Sequence, residues 1–307
     1  MIRKYASNNG FFETEKEQEV CWVSAETPTE KDTDYLTGHE GIPRMFLEYL
    51  SDLDERPRFE RDGEWTMTII RIPIQCHGGG HNVLRTVPLG VISRDNGRVY
   101  TVCYHTNRLT SDFADHTRRK GICYDTVADF TLRILYSAAF WYLDYLRTLA
   151  DLVVGTEKVL TGDVENDNLI HLLAVQKSLV YFNTAVKGDR MLLERIPKIY
   201  GKDVDMDLYE DVEIELNQAD TTVGIYSGIL ESTMCTYSSI ISNNMSAVMK
   251  RMTGLTIILM VPTFVASLYG MNVDILLTGP YAFWIIIGIA IVLTFLAFML
   301  LRKLKWV

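Results

Sequence analysis

Two apolar stretches close the chain: residues 252–269 and 281–301 contain no Asp, Glu, Lys or Arg. Residues 1–250 instead mix apolar and charged positions with the periods of a protein folded in water. At 1.5 Å per residue the second stretch crosses a hydrocarbon core of about 30 Å, and the first does so when begun near Met249. Two transmembrane helices joined by a short loop are therefore predicted. Upstream, the pattern predicts a strand over 19–25, a polar linker through Gly41 and a short helix over 43–50 with Pro43 near its first turn. Residues 58–61 and 65–73 flank Asp62-Gly63 and predict a hairpin with Trp65, Met67, Ile69 and Arg71 on one face. Further strands are expected over 83–87, 89–93 and 98–104, with Asp95-Asn96-Gly97 as a turn before the last.

Beyond Asn107 the period becomes helical. Leu132, Leu135, Ala139, Leu143 and Leu146 recur at threes and fours, predicting one long helix over 126–154 bounded by Gly155. Two more are expected over 168–186 and 191–200, separated by a break at 187–190. From 208 to 268 no proline occurs before Pro262, and Val212, Leu216, Val223, Ile229 or Leu230, Tyr237 and Ile240 or Ile241 keep roughly helical spacing, although Gly224 and Gly228 interrupt it. A continuous helix over this stretch would measure about 90 Å and would need neighbours for its apolar stripe. The expected organisation is an α/β domain with a helical section over 1–200, a stalk helix over 201–248, and a two-helix transmembrane domain over 249–307 with a connecting loop at 269–280.

Charge sets the expected orientation. Lys250 and Arg251 precede the first span, Arg302, Lys303 and Lys305 follow the second, and the loop carries only Asp274. By the positive-inside rule both termini and the large N-terminal part face the cytoplasm, giving a multi-pass protein of the cell's plasma (inner) membrane. The net charge of −9 argues against nucleic acid as a partner, since a polyanion is held by clustered Lys and Arg, and favours small cations. The five cysteines are scattered without a CxxC pair, as expected for reduced thiols. Cys76, His77 and His81 surround Gly78-Gly79-Gly80; without a second Cys pair this reads as a loose turn rather than a metal site. No GxxxxGK[ST], HExxH or GxSxG segment occurs, so no enzyme and no organic cofactor is expected.

One face of the first span is distinctive. Ser246, Met249, Met252, Thr256, Met260, Thr263 and Ser267 recur at threes and fours, and this stripe of hydroxyls and thioethers could line a path. Equally, Ser and Thr there could bond to their own i−4 carbonyls while the face packs on a neighbouring helix. Two spans cannot enclose a pore, so conduction requires several copies around an axis.

Tyr269-Gly270-Met271-Asn272 ends the first span. With Asn243, Val248-Met249-Lys250, Thr253, Pro262-Thr263-Phe264 and the tail Lys305-Trp306-Val307, it resembles the CorA family of magnesium and cobalt channels. The close match covers about residues 238–307; the rest matches in the order of its elements. The resemblance implies a CorA-like funnel: a homopentamer in membrane lipid, with first spans lining the pore and second spans outside them. Gly270, Met271 and Asn272 would form the selectivity signature (the GMN motif), the asparagine carbonyls meeting a hydrated ion at the outer mouth. The pore positions implied by the family coincide with the stripe from Ser246 to Ser267. Asp211, with Glu210, Glu213 and Glu215, resembles a segment holding a regulatory intracellular magnesium between subunits; a solvated acidic helix face is the alternative. Ser246 stands where members often carry asparagine, and the outer loop lacks the Met-Pro-Glu that follows the signature in well-matched members.

The expected function is passive conduction of hydrated Mg2+ or Co2+ into the cytoplasm, gated by internal Mg2+. The alternatives are a Zn2+, Co2+ or Ni2+ transporter of the same superfamily and a non-conducting membrane-anchored scaffold or sensor.

Overall fold

The computed structural model of the chain describes residues 1–78, 81–94, 97–122, 124–159, 166–271, 281–304 and 306. The chain forms two compact units, Met1–Ser232 and Thr233–Val307.

The first unit is built on a seven-stranded sheet. Its strands are β1 (Ile2–Ser7), β2 (Phe11–Glu13), β3 (Val20–Glu26), β4 (Arg58–Asp62), β5 (Trp65–Gly78), β6 (His81–Arg94) and β7 (Val99–Cys103), in the spatial order β2-β1-β3-β7-β6-β5-β4. Only β3 and β7 pair in parallel; the other pairs are antiparallel. The chain's first residues form a hairpin, β1–β2, which the hydrophobic pattern does not predict. The expected hairpin at Asp62-Gly63 is present as β4–β5, with Trp65, Met67 and Ile69 buried and Arg71 half-buried. The two short strands expected over 83–93 are one, β6, paired with β5 along 14 residues of each strand.

Two helices cover one face of the sheet: α1 (Glu30–Gly38) and α2 (Arg44–Ser51). The expected polar linker thus contains a helix. A capping box starts it, with Thr29 Oγ1 accepting from the Asp32 N–H and the Asp32 carboxylate accepting from the Thr29 N–H. Nine residues with one buried side chain, Leu36, carry too weak an apolar period to be seen in the sequence. Leu36, Phe46, Leu47 and Leu50 meet Met67, Ile69, Ile92 and Val102 in a fully dry core. Each such side chain contributes ~1.5–3 kcal/mol on burial. Gly90 permits this closeness: a Cβ there would lie 2.3 Å from Leu50 Cδ1.

The opposite face is covered by α3 (Leu109–Lys120), α4 (Val127–Val159) and α5 (Asn166–Leu193). Trp22 is fully buried among Phe11, Phe113 and Phe130, and its indole N–H donates to Thr101 Oγ1 at 2.9 Å. The break expected at 187–190 does not occur, and α5 runs through it before the short α6 (Ile196–Tyr200). Gly188 lies against Pro57, and Asp189 is wholly buried. The small and polar residues that look like a turn are there to meet the sheet edge. Cys21, Cys76, Cys103 and Cys235 are free thiols; burial pushes the Cys103 pKa up to about 12.

The long helix is continuous. α7 (Met206–Tyr269) passes Gly224, Gly228 and Pro262 without interruption. In the first unit its buried positions are Val212, Leu216, Ala219, Val223 and Leu230, with Tyr226 half-buried between the last two. These alternate at fours and threes, the seam by which a long helix packs on helical neighbours. Arg190 of α5 pairs with Asp220 of α7.

The second unit holds the end of α7 and α8 (Ala282–Lys303). Both are long and apolar enough to cross a membrane. In their most apolar stretches only 11 % and 6 % of residues are buried within the chain. A water-soluble core helix would bury most of them, so these surfaces fit lipid or further copies of the chain.

Candidate functional site

Within the second unit α7 presents two unlike faces. Gly254 and Val265 are its buried positions between residues 252 and 269. Ile258, Pro262, Ala266 and Tyr269 line a groove of about 1040 Å³ against Ile287, Ala290, Ile291 and Thr294 of α8. That face is turned toward the second span across the groove. With 3.6 residues per turn, the stripe from Ser246 to Ser267 is centred about 140° away. All seven of its residues are exposed, with Met249, Met252 and Met260 at 60 %, 60 % and 67 %.

The hydroxyls of this region are bonded within the helix. Thr253, Thr256 and Thr263 donate Oγ1–H to the carbonyls of Met249, Met252 and Leu259 at 2.8, 2.9 and 2.8 Å. The back-bonding to i−4 that the sequence allows is therefore present, and it does not remove the residues' polarity. A threonine oxygen has one proton and two lone pairs. With the proton directed into the helix, what Thr256 and Thr263 offer outward is acceptor only. Such oxygens suit the protons of a cation's hydration waters.

Gly270 stands where the helix ends. The Gly270 N–H donates to Ala266 O at 3.0 Å and Ser267 O at 3.2 Å, the last helical bonds of α7. Met271 follows, 56 % exposed. A Cβ at Gly270 would come no nearer than 3.5 Å to Ala266 O, so one chain alone supplies no steric need for glycine. Asn272, Asp274 and the rest of the loop through 280 lie outside the described residues.

In the first unit, Glu210, Asp211 and Glu213 are exposed and Glu215 is half-buried near the start of α7. None of the four makes an ion pair among the described residues. Asp211 and Leu208 line a cleft of about 360 Å³ with Asp112, His116, Arg133 and Tyr136. Arg133 is held by Asp129 at 2.7 Å. Tyr136 titrates above its ordinary value because it is partly buried and because the Glu215 and Asp211 carboxylates resist a second anion. The single chain does not bring three metal-ligating side chains together among its described residues, here or elsewhere. At the tip of β5–β6 the register sets His77 against Asn82 and Gly78 against His81; the side chains of 77–82 lie outside the described residues.

A feature not anticipated from sequence is a carboxyl sealed under the sheet edge. Asp189 Oδ1 accepts the Arg71 N–H at 2.9 Å, while Oδ2 has no partner. Complete burial drives the Asp189 pKa well above the usual carboxylate range, although the Arg71 N–H and charge oppose this. Spacing carries no sign of such a pairing across 118 residues.

Comparison with known proteins agrees with this architecture. The chain is 23 % identical to the cobalt/magnesium transport protein CorA of Methanocaldococcus jannaschii over 298 residues, 94 % of this chain and 92 % of that protein. The complete structure of the CorA magnesium transporter from the same organism superposes with a TM-score of 0.82 at 20 % identity, covering 100 % of this chain and 99 % of that one. The ZntB cytoplasmic domain from Vibrio parahaemolyticus gives a TM-score of 0.58 at 14 % identity over 80 % of this chain and 97 % of that domain. Residues 17–303 match the family described as CorA-like Mg2+ transporter protein. An α/β domain, one helix of 64 residues and a second apolar helix are thus the parts of a membrane transporter of divalent cations, not of an enzyme, and the chain belongs to the CorA family.

Proposed function

We propose that the chain is one subunit of a homo-oligomeric channel, a pentamer, that passes hydrated Mg2+ or Co2+ down its electrochemical gradient into the cytoplasm. The observation that carries this reading is the polarity of α7. The face opposite α8 is exposed and bears Ser246, Met249, Met252, Thr256, Met260, Thr263 and Ser267. Copies arranged with α8 outward would turn these stripes to a common axis. Residues 249–307 would then form the membrane domain, with the stalk over 201–248, the α/β domain over 1–200 and both termini in the cytoplasm of a cell bounded by this plasma membrane.

Magnesium dehydrates reluctantly. A ring of Asn272 amide oxygens at the outer mouth, supported by Gly270 and Met271, accepts hydrogen bonds from its waters without stripping them. Neutral oxygens bind weakly enough to release the ion inward, which conduction requires. Acceptor-only hydroxyls at Thr263 and Thr256 form the next stations, and rings of Met260, Met252 and Met249 close the path by dewetting. At an inside-negative potential, entry of a divalent ion gains about 4.6 kcal/mol per 100 mV. Gating follows from the carboxylates of Asp211, Glu210, Glu213 and Glu215, which make no ion pair among the described residues: internal Mg2+ between subunits relieves their repulsion and stabilises the closed arrangement.

The test is ion flux into liposomes for Mg2+, Co2+ and Zn2+, with wild type and N272A. Mg2+ flux abolished by the substitution supports the reading. Zn2+ flux alone moves the chain to the zinc-carrying branch that the ZntB likeness in fold allows. No flux from intact oligomers leaves the anchored scaffold.

A further inference from the structure

A second concave site lies in the first unit, away from the acidic start of α7. It is a cleft of about 740 Å³ between the loop preceding β4 and one face of α5. That volume is typical of sites for small organic ligands. The cleft is built rather than incidental. Arg71 reaches from β5 to its floor, where Nη1 donates to the Leu53 and Glu55 carbonyls at 2.8 Å each and Nη2 to the Thr86 carbonyl at 2.6 Å. This fixes the loop to the sheet. Gly188 lets the other wall approach: a Cβ there would lie 2.9 Å from Pro57 Cγ.

The charge of the cleft opposes that of the protein. Arg56, Arg58, Arg71, Lys187 and Arg195 line it, against Asp54 and Glu55, in a chain of net charge −9. Glu55 is spent on Arg58, which also binds Glu60 at 2.7 Å. Among the described residues the Arg71 guanidinium donates to neutral oxygens, the carbonyls of Leu53, Glu55 and Thr86 and the Thr86 hydroxyl. Among the described residues Arg56, Lys187 and Arg195 make no ion pair, and all three are exposed. Four cations are thus uncompensated, facing a single unpaired carboxylate, Asp54. Beside them Val180, Tyr181 and Met191 are 59 %, 37 % and 60 % exposed. A wall both cationic and apolar fits a ligand with a multiply charged anionic end and a flat organic body.

We propose that this cleft binds an organic polyphosphate of nucleotide size. The guanidiniums of Arg56 and Arg195 and the Lys187 ammonium take the phosphate oxygens, and the organic group lies on Val180, Tyr181 and Met191. The site is independent of what the membrane helices conduct.

The test is calorimetric titration of the full-length detergent-solubilised protein with ATP, tripolyphosphate and adenosine, in EDTA so that no Mg2+ occupies the phosphate oxygens. Saturable binding of ATP and weaker binding of tripolyphosphate are expected, with none for adenosine at the same concentrations. K187S/R195S should weaken ATP by at least about tenfold, and R56S, K187S and R195S each by a smaller factor, as charge-assisted bonds are removed. Affinity should fall between about 50 and 300 mM NaCl, since exposed charges are screened. Absence of saturable ATP binding to the wild type overturns the proposal. So does affinity unchanged in the variants, or light scattering that shows the variants breaking up the oligomer, which would assign the cations to a neighbouring copy.

Discussion

The N–H of Arg71 donates to Oδ1 of Asp189 at 2.9 Å, and the Tyr142 hydroxyl donates to the carbonyl of the same arginine at 3.0 Å. Both backbone groups lie where β4 has already ended, since its last pair with β5 is Arg58 with Ile69. Two helix side chains thus take the place of the missing strand. Asp189 and Tyr142 are fully buried, so they continue the ladder where water cannot.

This bond gives stability a pH dependence. The folded pKa of Asp189 lies well above its unfolded value of about 3.9. Its contribution is fully present below that unfolded value and is lost as pH rises through the folded one, at up to about 1.4 kcal/mol per pH unit. D189N keeps an acceptor for Arg71 and carries no charge. Its stability relative to wild type should therefore rise from pH 4 to pH 8. D189A should lose about 1–3 kcal/mol near pH 4, because the Arg71 N–H is left unpaired, and this deficit should shrink as pH rises, since alanine also removes the titrating carboxyl. Urea unfolding across pH checks both.

Gly90 sets the distance between α2 and the sheet. G90A should destabilise by about 1–3 kcal/mol as Leu50 is displaced from its core position. The double variant G90A/L50A should recover part of the loss expected from adding the two single effects, a coupling that denaturation can measure.

At Thr263 the hydroxyl acceptor can be separated from shape. T263V keeps the volume and removes the oxygen, and T263S keeps the oxygen and loses a methyl group. If the outward lone pair is used by hydrated Mg2+, T263V should lower flux by about tenfold, as expected for one hydrogen bond of about 1.4 kcal/mol, while T263S remains near wild type. Equal effects would assign Thr263 to packing.

Met252 and Met260 test the proposed closure. M252N or M260N should raise Mg2+ flux at high internal magnesium, because a polar ring does not dewet. Wild-type flux in these variants would move the gate elsewhere.

Asp211 tests the regulation. D211N should shift inhibition by internal Mg2+ to higher concentration, and the combined variant D211N/E215Q should shift it further. Flux measured at stepped internal Mg2+ reads the shift directly, and identical curves would leave Asp211 as a solvated residue of α7.

Elements with a strong local signature were legible in the sequence. The Asp62-Gly63 hairpin, the amphipathic α4, the unbroken α7 and the apolar α8 each carry a period or composition that needs no distant partner. The stripe from Ser246 to Ser267 was readable for the same reason, since positions on a helix follow from spacing alone. Other features depend on remote contacts. The residues 187–190 resemble a loop until Gly188 is seen against Pro57 and Asp189 under β5. The helix α1 lay in an expected linker because a capping box and one buried leucine make no period. The direction of the stripe was also undecided by spacing, which places residues on one face without saying what faces it. Only the folded chain shows that Ile258, Pro262 and Val265 share a groove with α8 while the hydroxyl and thioether face is turned away from it. Backbone geometry repeats along a chain and is written in local order, whereas burial depends on which distant surfaces meet, and that is decided by the folded structure.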